Sequence, residues 1–262
     1  MLRLSGREVP GRCSAVYYHS VKDTEKKQFA RQMQLLKKCA YPLMADYNGK
    51  LRNGKNYVII TFDDGFKSII KNALPELKRL EIPCAVFFPV KYLGCMPKWQ
   101  YNKSFHDEDE EIMREEEIRS LPRDYILVGS HSYSHRVLTS LNALEAREEF
   151  IKSKELLEKL TGKNVDLFSF PYGSFNSHTL SLAYEAGYKR VFTINNEVIT
   201  SHVDRSLLGR VRTDPSDTLL EFRLKILGAY EWLNSIGPLK EKLFIFRRKN
   251  NPQKQITEHL TA

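Results

Sequence analysis

Three times along this chain a short apolar run stops abruptly at residues able to do chemistry. Tyr57-Val-Ile-Ile-Thr-Phe62 runs into Asp63-Asp64-Gly65, Tyr125-Ile-Leu-Val128 into Gly129-Ser130-His131, and Val165-Asp-Leu-Phe-Ser-Phe170 into Pro171-Tyr172-Gly173. Two more apolar runs, Cys84–Phe88 and Arg190–Thr193, read as strands. Helical patterns fill the spaces between runs. The first covers Lys67 to Leu80, with apolar residues at Ile69, Ile70, Leu74, Leu77 and Leu80 and an interruption at Pro75. Others cover Ala143 to Leu160 and Ser177 to Ala186. Alternating strands and helices predict a parallel sheet, open or closed into a barrel. Reactive residues placed just past strand ends favour the barrel, where catalytic groups converge at that edge.

A chain of 262 residues with 42% apolar and 28% charged residues can build one large globular α/β domain. After about Asp217 the pattern changes to a dense helical stretch, Leu219 to Trp232, and then a basic, polar tail. The expected organisation is a catalytic domain over 1–217 and a helical extension over 218–262 that packs on the barrel. Met1 to Gly11 lacks an apolar signal-like core, and no apolar run approaches the ~20 residues of a spanning helix. Cys13, Cys39, Cys84 and Cys95 show no CxxC spacing and read as reduced structural thiols, so the expected location is the cytoplasm.

The net charge of +9 is unevenly spread. Eight carboxylates crowd Asp107 to Glu117, whereas Arg247, Arg248, Lys249 and Lys254 cluster near the C-terminus. No nucleic-acid-binding signature accompanies these basic residues, and no nucleic-acid partner is expected. Leu243-Phe-Ile-Phe246 beside the basic cluster suits peripheral contact with an anionic membrane at its inner face.

The strand-end residues suggest a hydrolytic metal centre. In Asp63-Asp64-Gly65 one carboxylate can hold a cation while its neighbour accepts a proton, and the glycine permits a sharp turn. Alone, the triplet is an ordinary strand-to-turn sequence. In His131-Ser-Tyr-Ser-His135 the two imidazoles stand at i and i+4, the spacing that stacks side chains on one face of a helical turn. Two histidines and one carboxylate form a catalytic metal set with positions left open. Pro171-Tyr172-Gly173 fixes a loop able to aim an N–H at a developing oxyanion.

In this order the three elements resemble the polysaccharide deacetylase family with the NodB homology domain, carbohydrate esterase family 4. Thr61-Phe-Asp-Asp-Gly65 resembles its first motif, His131-Ser-Tyr-Ser-His135 its second and Phe168-Ser-Phe-Pro-Tyr-Gly173 its third. The resemblance implies a distorted (β/α) barrel of seven strands. It also implies a divalent metal, commonly Zn²⁺ with Co²⁺, Ni²⁺ or Mn²⁺ as alternatives, held by Asp64, His131 and His135, and Asp63 as the general base. Two departures stand out. Many members carry an arginine two residues before the motif-three proline, where this chain has Ser169, and the late Leu-x-His motif that supplies a general acid is absent. Ala15-Val-Tyr-Tyr-His19 instead looks like the Tyr-His segment of members resembling the poly-N-acetylglucosamine deacetylases, which implies His19 as the acid. Arg210, in Gly209-Arg-Val-Arg212, matches a late arginine of that subgroup and is expected to position substrate or to orient Asp63. Pro171 and Tyr172 are expected to line the substrate site.

The implied activity is removal of acetyl groups from an N-acetylated amino-sugar polymer, such as a bacterial exopolysaccharide. Two other readings stay open: a deacylase acting on a lipid-linked or small N-acyl sugar, and a non-catalytic glycan-binding relic of the fold.

Overall fold

A computed structural model describes residues 9–97, 99 and 110–231. Its strands are β1 (Arg12–Tyr18), β2 (Tyr41–Leu43), β3 (Gly49–Lys50), β4 (Asn56–Phe62), β5 (Cys84–Phe88), β6 (Ile126–Ser130), β7 (Leu167–Ser169), β8 (Arg190–Thr193), β9 (Val198–Thr200), β10 (His202–Val203), β11 (Leu207–Gly209) and β12 (Val211–Arg212). The helices are α1 (Lys26–Cys39), α2 (Leu74–Arg79), α3 (Glu115–Arg119), α4 (Ala143–Thr161), α5 (Ser177–Glu185) and α6 (Leu219–Ile226).

β1, β4, β5, β6, β7 and β8 pair side by side, all parallel. The ring is closed by one stretch of chain that changes partners: β11 pairs with β8, and after a break at Arg210 β12 pairs with β1. Counting that stretch once gives a seven-stranded parallel barrel. Strand alternation divides the core into two shells. Val58, Ile60 and Phe62 of β4 point outward to the helices with Val16, Tyr18, Phe29, Met33 and Leu36. Ile59 points into the barrel with Cys13, Ala15, Ala85, Phe87, Leu167, Phe192 and Leu208.

Register brings the motifs to one edge. Tyr18 of β1 lies opposite Phe62 of β4, so the residues that follow, His19 and Asp63, leave neighbouring strands at the same level. Ser130 pairs with Phe168, which places His131 beside Ser169.

The helices follow the expected pattern with two differences. The segment after Asp64 begins as a π-helical turn over Ile69–Ala73 and continues as α2, with Pro75 in its first turn, where a missing N–H costs nothing. Helix α1, not anticipated from the sequence, buries Phe29, Met33 and Leu36, worth ~1.5–3 kcal/mol apiece. Phe222 and Ile226 of α6 join the same outer core, and Lys225 Nζ meets Asp217 Oδ2 at 2.5 Å. Among the described residues no helix is long and apolar enough to cross a membrane. Trp232, the basic tail and Leu243 to Lys249 lie outside the described residues.

Candidate active site

Asp63 and Asp64 sit at the end of β4, both buried. Asp64 and Gly65 adopt left-handed backbone, with φ of 66° and 64°. Glycine is required at 65 for a second reason: a Cβ there would lie 2.3 Å from the Phe88 ring. The turn sends the two carboxylates to different partners.

Asp63 faces the barrel axis and meets Arg210. Nη1 of Arg210 donates to Asp63 Oδ1 at 2.7 Å and Nη2 to Oδ2 at 2.9 Å. Nη1 also donates to Thr61 Oγ1 at 2.9 Å, Nη2 to Ser169 Oγ at 2.7 Å, and Nε to the Thr193 carbonyl at 3.3 Å. All five N–H groups that a guanidinium offers are therefore used. Its plane lies over the rings of Tyr17, Phe87 and Phe192, with centroids 4.7 to 5.6 Å away, and the side chain has no exposed surface. Burial pushes the Asp63 carboxyl up, but Arg210, with His131 and His19, outweighs this and holds it below the usual carboxylate range. Arg210 thus faces Asp63 and is closed off from substrate. Of the two roles expected for it, the geometry serves orientation of the carboxylate. Ser169, at the position where many relatives carry an arginine, accepts a hydrogen bond from that same guanidinium.

Asp64 faces the histidines. Its Oδ1 lies 3.2 Å from His135 Nε2 and 3.6 Å from His131 Nε2, and among the described residues it makes no hydrogen bond. His131 Nδ1 lies 2.8 Å from the Ser169 carbonyl. Since a carbonyl only accepts, Nδ1 carries the proton and Nε2 presents a lone pair to Asp64. Burial pulls the His131 imidazole down to about 4, against the opposing charges of Asp63 and Asp64. Burial raises the Asp64 carboxyl, but His135 first, then His19 and His131, bring it to about 2. A buried carboxylate oxygen without a donor, facing two imidazole nitrogens, is the environment of a cation. Ligand atoms of Asp64, His131 and His135 all lie within 4.8 Å of one another.

The histidine loop is not the helical turn that the i, i+4 spacing predicts. Ser132 and His135 have φ of 65° and 56°, and no helix includes them. Non-glycine residues in that region cost ~1–3 kcal/mol each and need a surrounding that over-determines them. Hydroxyls provide part of it: the His135 N–H donates to Ser132 Oγ at 3.0 Å, and the Ser132 N–H to Ser130 Oγ at 3.2 Å. The two imidazoles still converge, with ring centroids 4.9 Å apart.

His19 follows β1, edge-on to Tyr17 at 5.7 Å, and its charge reaches both Asp63 and Asp64. Pro171 is buried, whereas Tyr172 is 47% exposed, with φ of 57° and its ring 4.7 Å from that of His135. Trp99 stacks on the His135 imidazole, with ring centroids 4.1 Å apart, and meets Tyr92 edge-on at 5.1 Å. No motif or spacing marks Trp99, Tyr92 or the buried Glu149 of α4, whose carboxylate holds Ser134. An open depression of about 710 Å³ lies apart from these residues, between the segments after β1 and β4, lined by Lys22, Asp23, Lys67, Ser68 and Lys71 among others and by none of the site residues.

A sequence model of polysaccharide deacetylases matches residues 50–191, more than half of the chain. The chain belongs to the polysaccharide deacetylase family. This deacetylase is 26% identical over 188 residues to the poly-β-1,6-N-acetyl-D-glucosamine N-deacetylase of Staphylococcus aureus strain N315, a match covering 68% of the chain and 61% of that enzyme. It is 24% identical over 219 residues to YxkH of Bacillus subtilis, also named as a polysaccharide deacetylase, covering 79% and 74% of the two chains. Among solved structures, IcaB from Ammonifex degensii superposes with a TM-score of 0.68 at 22% identity, over 82% of this chain and 96% of that one. The Streptococcus pyogenes deacetylase PplD, solved with acetate, superposes with a TM-score of 0.66 at 18% identity, over 83% and 99%. At such identities the structural likeness speaks for the shared barrel alone.

Proposed function

We propose that this deacetylase hydrolyses the N-acetyl amide of an amino-sugar glycan, releasing acetate and leaving a free amine. The observation that carries this reading is the division of labour between adjacent carboxylates: Asp63 locked by Arg210, and Asp64 facing His131 and His135. Asp64, His131 and His135 would hold a divalent ion, zinc before cobalt, nickel or manganese. That ion would supply Lewis acidity, lowering the pKa of a water and polarising the amide carbonyl.

The protein's own groups carry the protons. Asp63, ionised, takes one from the attacking water, and Arg210 keeps both its oxygens fixed in place for the transfer. The backbone N–H of Tyr172 faces the oxyanion as the carbonyl carbon becomes tetrahedral. His19, as imidazolium, protonates the amine nitrogen as its bond to the acyl carbon breaks. Pro171 shapes the loop and Tyr172 offers an exposed ring against the sugar.

A polymeric substrate is supported by the name of the staphylococcal relative, an N-deacetylase of poly-β-1,6-N-acetyl-D-glucosamine. Acetate release from poly-β-1,6-N-acetylglucosamine oligomers and chitooligosaccharides, with and without added Zn²⁺ or Co²⁺, tests the reading. Metal-dependent release that rises with chain length supports it. Release only from monosaccharide amides redirects it to small N-acyl sugars, and release from none of them overturns it.

A further inference from the structure

The metal-site loop is tied at its centre to a helix that takes no part in the chemistry. Glu149 of α4 is 6% exposed, and its two oxygens accept from one residue: Oε2 from the Ser134 N–H at 2.7 Å, and Oε1 from the Ser134 hydroxyl. Ser134 stands immediately before His135, which is held in left-handed backbone. One turn farther along α4, Ser153 Oγ accepts from Ser130 Oγ at 2.8 Å, and Ser130 Oγ accepts the Ser132 N–H. The loop carrying both histidines is thus fastened to α4 near its start and near its end.

We propose that Glu149 is a positioning residue for the metal centre: through Ser134 it holds His135 in the conformation that aims its imidazole at Asp64. A carboxylate buried to this degree needs strong donors, and here the donors are the backbone and hydroxyl of the residue next to a ligand. Helix α4 packs on the barrel through Ala146, Phe150 and Leu157. These contacts give the helix ample reason to exist without a charged residue at 149, yet a buried carboxylate occupies that position. The proposal rests on Asp64, His131 and His135 being a metal site.

Zn²⁺ affinity, measured on the full chain by competition with a chelating dye, separates this from a packing role. Loss of a group that orients a ligand typically weakens metal binding 10–100-fold. Glu149→Ala and Ser134→Ala are each expected to raise the Kd at least tenfold, and the double variant by no more than the worse single one. Glu149→Gln should stay within about threefold of wild type, because the amide oxygen accepts from the Ser134 N–H while its NH₂ donates to the hydroxyl. Leu157→Ala, a core change on the same helix, should lower the melting temperature and leave the Kd unchanged. Amide exchange of the metal-free protein gives a second readout, with faster exchange at position 134 and at His135 in Ser134→Ala than in Leu157→Ala. Should Glu149→Ala not fold, Ser134→Ala decides. An unchanged Kd in either folded variant, or additive losses in the double variant, overturns the proposal. Failure of the wild type to bind Zn²⁺ at all would instead strike the metal reading beneath it.

Discussion

Arg210, standing in the barrel's closing seam, grips both oxygens of Asp63, at 2.7 and 2.9 Å. The seam is where the chain changes partners from β8 to β1, so the residue that orients the base also occupies the break that closes the fold. Removing one member of such a pair strands a buried charge, at a cost of ~3–5 kcal/mol. Arg210→Met should therefore destabilise the protein by about that amount in urea unfolding. Adding Asp63→Asn to it should recover part of the loss, since no net charge is then left unpaired. A loss in the double variant equal to the sum of the losses in Arg210→Met and Asp63→Asn would mean that the two side chains are not energetically coupled.

Asp63→Asn preserves the shape of the side chain but cannot take a proton. Turnover should fall ~10²–10⁴-fold, the usual cost of losing a general base. Metal content should stay near that of wild type, because Asp64, the neighbouring carboxylate, is the one aimed at the histidines. Acetate release and metal analysis on the same preparation check both halves. Loss of the metal together with the activity would show that the two carboxylates share one task.

Much of the barrel is legible in the sequence, and what is not legible there has a common cause. Apolar runs ending in Asp63-Asp64, Ser130-His131 and Phe170-Pro171 gave the barrel, because strand periodicity and strand-end chemistry are local signals. Helix α1 leaves little trace in the sequence although Phe29, Met33 and Leu36 stand at helical spacing, since Lys and Gln surround them and dilute the pattern. The i, i+4 spacing of His131 and His135 predicts a helical turn because it is a local rule. The groups that override it, Ser132, Ser134 and Glu149, act through side-chain hydrogen bonds, one of them across 15 positions. Ser169 looked like a loss, and its partner Arg210 lies 41 positions away. No periodicity reports such a pairing.

His19 enters the site from β1, level with Asp63. A sugar amine leaves poorly unless protonated, so a missing acid should slow the bond-breaking step most. His19→Ala is expected to lower kcat ~10²–10⁴-fold with little change in metal content or melting temperature. Steady-state kinetics beside metal analysis provide the check. An unaltered kcat would assign the proton to another group.

Metal binding should depend on both imidazoles. Reconstituted wild type is expected to hold close to one equivalent of Zn²⁺, and the paired variant His131→Ala with His135→Ala much less, by elemental analysis after desalting. Equal retention by the two proteins would place the ion elsewhere.

The metal-free protein should also be acid-sensitive in a particular range. His131 is buried and neutral, its pKa pulled from 6.5 to about 4 by burial. A histidine with a depressed folded-state pKa binds fewer protons folded than unfolded across that interval. Acid therefore favours the unfolded chain, and stability present above pH 6.5 is lost as the pH falls toward 4. Replacing the imidazole with a side chain that does not titrate removes that term, and His131→Gln should show a flatter dependence over the same interval. Its uncharged amide can still donate toward the Ser169 carbonyl that His131 Nδ1 meets, which limits the packing loss at every pH. Thermal unfolding of both apoproteins between pH 7 and pH 4 measures the difference. Parallel curves for the two proteins would show that the acid response belongs to other groups.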